Sequence, residues 1–177
     1  MIHEHFLSEL DLISNKEIRS ITERLLDGLP EYVVHVPASS SGKYHPAYAL
    51  GEGGLARHIK SAVRFANHLF VIHEFSSEER DYIIAALLLH DGLKHGASAD
   101  AGHTVFEHPV LAAKYIRANS GSEYADHVAP LVETHMGQWT KSTYSDMVLR
   151  APNTDAEKFV HMCDYLASRR DITVEEL

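Results

Sequence analysis

The stretch 78-EERDYIIAALLLHDGLK-94 places His90 and Asp91 side by side at the end of one of the most apolar runs in the chain. Ser76, just before it, could form a capping box with Glu79, so the pattern predicts a helix that ends at this pair. Burying a titratable pair costs several kcal/mol unless another group compensates it. A bound metal ion, an ion pair or exposure at the helix end could each supply that compensation.

Length and cysteine content limit the kinds of protein and of metal site. The chain has 177 residues, which is the length of one ordinary domain with a sizeable core. Its single cysteine, Cys163, cannot form an intrachain disulfide or a thiolate cluster, and we expect it to be a small packed residue. A metal site would therefore use histidine and carboxylate ligands. No segment resembles a membrane span or a signal peptide, so we expect a cytoplasmic protein that does not bind membranes.

The charge balance favours a small substrate over a long nucleic acid. The formal net charge is −9 at pH 7 with histidine counted as neutral. Such a surface repels long polyanions unless its basic residues are gathered in one place, so long nucleic acid is a possible but unfavoured partner. The chain also has 14 histidines, more than a solvated surface needs, which indicates that some of them have a function.

Helical periodicity recurs along almost the whole chain, without a convincing strand pattern, so we predict an all-α fold, a single helical bundle. The predicted helices cover residues 16–29, capped by Ser14 or Asn15, then 55–73, 78–91, a helix opened by His108-Pro109, 123–136 and 154–170. Between the first two lies a long loop rich in Pro, Ser and Gly, in which Tyr32 to Val36 could be extended. The apolar face of 16–29 could pack on the domain or on a second copy, which leaves a homo-oligomer open.

Several helices direct a histidine, an aspartate or both toward one interior. His135, for example, follows Val128 and Leu131 on an apolar stripe, and Asp164 lies among apolar neighbours on the last helix. The candidate metal ligands are His58, His90, Asp91, His108, His135 and Asp164, with His103 as an alternative to His108. Such a set can hold two divalent metal ions with one carboxylate bridging them. Histidine-rich ligation suits Fe, Mn, Ni, Co or Zn better than Mg²⁺.

The order of these six residues resembles the HD-domain superfamily of metal-dependent phosphohydrolases, in the version with six ligands and two metals. The resemblance covers about residues 37–170. Locally, 37-PASSSGKYHPAYALGEGGLARHIKSAVRFA-66 and 159-FVHMCDYLASR-169 are similar to the HD domain of bacterial 3′-to-5′ exoribonucleases. Those enzymes have a nucleic-acid-binding domain before the HD domain, and this chain is shorter there. We therefore expect residues 1–36 to be a helix and connector that pack on an HD domain of residues 37–177, within one structural domain.

The resemblance implies a phosphohydrolase or phosphodiesterase in which a metal-bridging hydroxide attacks phosphorus. Asp91 would be the bridging carboxylate, and Lys94, from the intact His-Asp-x-x-Lys motif, would be the cation near the phosphate. The expected substrate is a nucleotide, cyclic nucleotide or short oligonucleotide. Other candidate substrate-binding residues are Lys43 and His45 in the loop and Trp139, which could stack on a base.

Each of these roles has a structural alternative. Lys94 could be a solvated cation at a helix end, the loop residues could be merely exposed, and Trp139 could be a core residue. Asp164 could pair with Arg169 or Arg170, and Arg57, beside His58, is expected on a solvated face.

Three other functions remain open at the level of sequence. The same six-ligand scaffold holds a mixed-valent di-iron pair in some HD-type oxygenases. A mononuclear nucleotidase or deoxynucleotide triphosphohydrolase would need only His58, His90, Asp91 and Asp164. A non-catalytic module could use a metal as a structural clip, although a degenerate member is expected to lose ligands.

Overall fold

The computed structural model describes residues 1–39, 42–97 and 103–172, and within these ranges the protein is helical, with no strand or sheet. The α-helices there are α1 (Leu7–Leu10), α2 (Lys16–Asp27), α3 (Gly54–Leu69), α4 (Ser77–Leu89), α5 (His108–Asn119), α6 (Ser122–Glu133) and α7 (Asp155–Ala167). Short 3₁₀ helices occur at Ile2–Phe6, Glu31–Val34, Ala47–Ala49 and Phe70–Ile72. The all-α prediction is confirmed. None of the described helices combines the length and the apolar character needed to cross a bilayer.

Side-chain caps explain where three of these helices begin. The Asn15 carboxamide oxygen accepts hydrogen bonds from the first turn of α2. Ser76 and Glu79 form the predicted capping box at α4, and Thr154 and Glu157 form another at α7. Each cap satisfies backbone N–H groups that a helix start otherwise leaves unpaired, so these starts could be read from short local motifs.

Helix α4 lies at the centre of the fold. Its residues from Asp81 to Leu89 are all buried, and it packs against α2, α3, α6 and α7. A helix surrounded on every side needs apolar residues all round rather than a single stripe, which explains the uninterrupted run Ile83–Leu89. Because His90 and Asp91 follow the end of this central helix, they lie in the interior of the bundle.

The N-terminal residues share the same hydrophobic core. Phe6 and Leu10, in short helices that the sequence pattern did not predict, are fully buried. Leu25 and Leu26 of α2 are also buried in this core, and the Tyr115 hydroxyl donates a 2.7 Å hydrogen bond to the Leu25 carbonyl. The apolar face of α2 thus packs on its own chain. The predicted boundary between 1–36 and 37–177 and the possible homo-oligomer stay predictions.

The segment after α2 is not extended, so the expectation for residues 32–36 is wrong. Glu31–Val34 form a 3₁₀ helix, and the backbone N–H groups of His35 and Val36 both donate to the Tyr32 carbonyl. Tyr32 and Val33 are neighbours in sequence and are both buried. An extended chain would point two successive side chains to opposite faces, whereas a tight helical turn allows both to enter the core.

Asp81 joins α4 to the start of α2 and gives a prediction for stability. Its two carboxylate oxygens accept hydrogen bonds from the backbone N–H groups of Ser14 (2.9 Å) and Asn15 (2.8 Å). We expect Asp81→Ala to lower the free energy of unfolding in urea by about 2 kcal/mol, because both charge-assisted bonds are lost. Glu78→Ala, in the exposed first turn of α4, is the control. Equal stability of the two variants would contradict this role of Asp81.

Candidate metal centre

The His90-Asp91 pair lies just past the end of α4 and is buried. His90 is the C-cap residue, with no exposed surface, and Asp91 is 1% exposed in the following turn. This burial excludes exposure at the helix end as the compensation for the pair. Lys94 supplies an ion pair, with its ammonium nitrogen 2.5 Å from Asp91 Oδ2. The single positive charge of Lys94 does not explain why several histidines and Asp164 also cluster here.

His58, His90 and Asp164 form a first group of three possible metal ligands. Helix α3 carries His58 and α7 carries Asp164, and these two helices pack side by side. Asp164 Oδ1 lies 3.0 Å from His58 Nε2 and 3.5 Å from His90 Nε2, and the two Nε2 atoms are 3.3 Å apart. We call these residues the first trio.

Asp91, His108 and His135 form a second group, which we call the second trio. His108 is the first residue of α5, and His135 lies in the turn after α6 rather than on the helix itself. Asp91 Oδ1 is 3.2 Å from His108 Nε2 and 3.7 Å from His135 Nε2, and the two Nε2 atoms are 3.0 Å apart. His103, the alternative to His108, is exposed and belongs to neither trio.

Asp91 lies between the two trios. Its Oδ1 faces the second trio, whereas its Oδ2 lies 3.5 Å from His58 Nε2 and 3.6 Å from His90 Nε2 in the first. One carboxylate therefore presents a different oxygen to each trio. The structure brings all six candidate ligands into one continuous cluster.

The hydrogen bonds of three histidines fix which ring nitrogen carries the proton. The Nδ1 atoms of His90, His108 and His135 lie 2.6–2.7 Å from the backbone carbonyls of Leu87, Val105 and Val132, respectively. A carbonyl only accepts, so each Nδ1 donates, and in the neutral ring Nε2 keeps a free lone pair. Two such lone pairs only 3.0 Å apart, on His108 and His135, repel each other unless a cation or a proton lies between them. This arrangement fits a metal ion.

The HD domain family model matches residues 55–169, more than half of the chain, from α3 to the turn after α7. This chain belongs to the HD-domain family. Members of the family are generally metal-dependent hydrolases, and the two trios are groups that could hold their metal. Neither a curated protein nor a solved structure matches the chain significantly. The narrower resemblance to exoribonucleases stays a prediction.

The protonation states of three members of the cluster also suit metal ligands. Burial, with help from His90 and His108, lowers the pKa of His135 to about 3, so its ring is neutral at pH 7. Burial opposes ionisation of Asp91, but Lys94 and the histidines hold its pKa well below the usual range. The pKa of Asp164 is shifted in the same direction by the first trio's histidines, despite its burial. The HD domain therefore presents carboxylates and a neutral imidazole, which are the forms that bind metal.

The cluster opens into a cavity of about 510 Å³. Its lining includes four of the candidate ligands and three of the four candidate substrate-binding residues: Asp91, His108, His135 and Asp164, with His45, Lys94 and Trp139. Lys43 is exposed and does not line it, so the structure does not bring this residue to the site. A larger depression of about 980 Å³, next to the α3–α4 connection, holds neither trio.

The loop that carries His45 is anchored by Arg57, which makes the expectation of a solvated Arg57 wrong. The guanidinium donates to the carbonyl oxygens of Tyr48 (2.5 Å), Leu50 (3.0 Å) and Glu52 (2.8 Å). His45 in turn packs edge-on against His58, with ring centroids 5.5 Å apart. Arg57 could not be assigned this role from sequence, because the carbonyls come together only when the loop folds back on α3.

Three residues near the end of α7 line the cavity but were not among the predicted site residues. Tyr165, Ser168 and Arg169 follow Asp164 closely in sequence, and Tyr165 stacks on Trp139 with ring centroids 5.7 Å apart. The expected alternative, an ion pair between Asp164 and Arg169, does not occur among the ion pairs of the described residues. Proximity in sequence to Asp164 was the only signal that could have pointed to these three.

Proposed function

We propose that this HD domain is a metal-dependent phosphohydrolase or phosphodiesterase that acts on a nucleotide, cyclic nucleotide or short oligonucleotide. The observation that carries the proposal is the division of six side chains into two trios that share Asp91. A mononuclear enzyme of the family would leave His108 and His135 without a role. A pair of metal sites uses all six residues.

The first trio would hold one divalent metal ion and the second trio another, with Asp91 common to both. When bound, two such ions would supply acidified water and would neutralise phosphoryl oxygens. The backbone carbonyls behind His90, His108 and His135 keep the rings oriented with Nε2 toward the site. Because these contacts do not depend on the metal, the ligands are preorganised before it binds.

Lys94 supports the choice of a phosphate ester as substrate. Its ammonium lines the cavity and is anchored on Asp91 Oδ2, so it is a fixed positive charge beside the trios. Charge that develops on a phosphoryl oxygen would be stabilised by such a group without reorganisation of the site. Lys94 would therefore act in substrate binding and catalysis, with Asp91 holding its position.

His45 and Trp139 would contact the rest of the substrate. Burial lowers the pKa of His45 to about 4, with smaller contributions from His58 and Lys94, so His45 is neutral at pH 7. The neutral ring can exchange a hydrogen bond with the substrate where it lines the cavity, but it cannot supply positive charge. Trp139 is 44% exposed at the cavity wall and offers a surface on which a base can stack.

The proposal is tested by elemental analysis of protein purified without chelator, together with hydrolysis of bis-p-nitrophenyl phosphate in air and under anaerobic conditions. We expect about two transition-metal ions per chain and hydrolysis that does not depend on O₂. Two irons with substrate-dependent O₂ consumption and no hydrolysis would instead indicate an HD-type oxygenase. Less than one metal ion per chain would indicate a non-catalytic module.

A further inference from the structure

Arg169 is a cation of the cavity wall that the catalytic proposal does not use. It lies in the turn that follows α7, just after the C-cap residue Ser168. It lines the same cavity as Asp91 and Asp164. Arg169 therefore gives the site a second cationic side chain, in addition to Lys94.

The Arg169 guanidinium is held in place by neutral groups. It lies over the Tyr165 ring, with 4.3 Å between the guanidinium carbon and the ring centroid, and Nη2 donates a 3.2 Å hydrogen bond to Ser168 Oγ. Its Nε is buried and has no hydrogen-bond partner among the described residues. No described carboxylate forms an ion pair with it, whereas Lys94 is paired with Asp91.

A buried guanidinium N–H without an acceptor is unfavourable, because the group has left water without gaining a replacement. The planar fork of arginine matches phosphate oxygens, and stacking on an aromatic ring keeps that fork oriented while its N–H groups stay available. Because Nε has no accessible surface, an anion in the cavity would bind the nitrogens at the end of the fork rather than Nε. The cavity shared with the trios is where that anion would enter.

We propose that Arg169 binds a second phosphate group of the substrate, distinct from the phosphoryl group that reacts at the trios. This inference rests on the proposed function and narrows it to substrates that carry at least two phosphates. The second phosphate could belong to a nucleoside bisphosphate or to the next linkage of a short oligonucleotide. Both present the same chemistry to Arg169, and the experiment separates them.

Trp139 makes the experiment specific to this cavity, since it is the only tryptophan of the chain and stacks on the tyrosine beneath Arg169. Its fluorescence is followed in a stopped-flow instrument, so that binding is read before turnover. The ligands are adenosine 5′-monophosphate, adenosine 3′,5′-bisphosphate and the 5′-phosphorylated dinucleotide pApA, added to protein that keeps its metal. We expect at least one two-phosphate ligand to bind about tenfold or more tightly than the monophosphate.

The variant Arg169→Gln is expected to reduce this preference to less than about twofold, since one charge-assisted contact accounts for it. Arg169→Lys keeps the charge without the fork and is expected to retain only part of the preference. Arg170→Gln removes the same charge from the exposed neighbouring residue and is the matched control, expected to keep the full preference. Circular dichroism verifies that each variant is folded.

Each outcome bears on the proposal separately from catalysis. Tighter binding of the bisphosphate indicates a mononucleotide substrate, and tighter binding of the dinucleotide indicates an oligonucleotide substrate. Either result supports the second phosphate site. Equal affinity for one and two phosphates in the wild type, or a preference that survives Arg169→Gln, overturns it. If no phosphoester is hydrolysed but the preference depends on Arg169, the proposed function fails while the phosphate site stands.

Discussion

Asp91→Asn is expected to lower hydrolysis of bis-p-nitrophenyl phosphate by about a thousandfold or more, comparable to the loss of a strong transition-state contact. It is also expected to reduce the metal content from about two ions per chain to one or fewer. The reason is geometric: Oδ1 and Oδ2 face different trios, and asparagine replaces one of these oxygens with an N–H donor that cannot bind a cation. Elemental analysis and initial rates measure both effects.

A second variant separates loss of metal from loss of folding. Asp91→Asn leaves the buried Lys94 ammonium without its anion, which could itself destabilise the protein. His108→Gln keeps that ion pair intact and removes a ligand only from the second trio, so it should lose one metal while remaining folded. Asp126→Asn, on the exposed face of α6, is the control. Full metal content and full activity in both site variants would contradict the assignment.

The candidate ligands could be predicted because each carries a local signal. A histidine or aspartate in line with apolar residues on a helix is directed to the core, and this pattern by itself assigns His58, His135 and Asp164 to the interior. His90 and Asp91 followed from the apolar run of α4. Periodicity therefore indicated several of these side chains, whereas the full set of six rested also on the resemblance to the HD-domain superfamily.

How the ligands divide into trios could not be predicted from the same signals. The division depends on the angles at which α3, α6 and α7 cross α4, which no local pattern encodes. His135 shows the difference, since it lies in the turn after α6 and is held by its Nδ1 contact to Val132 rather than by helix periodicity. The bridging position of Asp91 is visible only once both trios are assembled.

The contacts of two arginine side chains were the other gap. Arg57 donates to three loop carbonyls, and Arg169, in the turn after α7, lies over the Tyr165 ring. Both are charged residues that sequence patterns assign to solvent by default. Their roles arise from the path of the chain after the helix has formed, so they depend on tertiary structure.

The stability of the metal-free protein is expected to fall by about 3 to 4 kcal/mol between pH 6.5 and pH 5. The main cause is two histidines whose pKa values are lowered chiefly by burial, to about 3 for His135 and about 4 for His45, and the pKa of His95 is lowered in the same direction. In the unfolded chain, both protonate near pH 6.5, whereas in the folded protein they stay neutral. The unfolded state therefore binds more protons in this window, and acid favours it.

The other titrating groups of the cluster do not reverse this sign. The pKa values of Asp91 and Asp164 are lowered, so the stability that they contribute is fully present above about pH 4 and is lost only at lower pH. The pKa of His90 is raised by the two carboxylates despite its burial. Its contribution is complete below pH 6.5 and is lost as the pH rises, so it is constant between pH 6.5 and pH 5.

Urea unfolding of chelator-treated protein at several pH values measures this dependence. His135→Gln removes one of the two main groups and is expected to lose up to about half of the acid sensitivity, even though the variant starts from a lower stability. His68→Gln, exposed on α3, is the matched control. Because protons and metal ions compete for the same Nε2 lone pairs, added Zn²⁺ should restore stability less effectively at pH 5 than at pH 7. A stability that stays constant from pH 6.5 to pH 5 would show that these histidines are not held neutral in the fold.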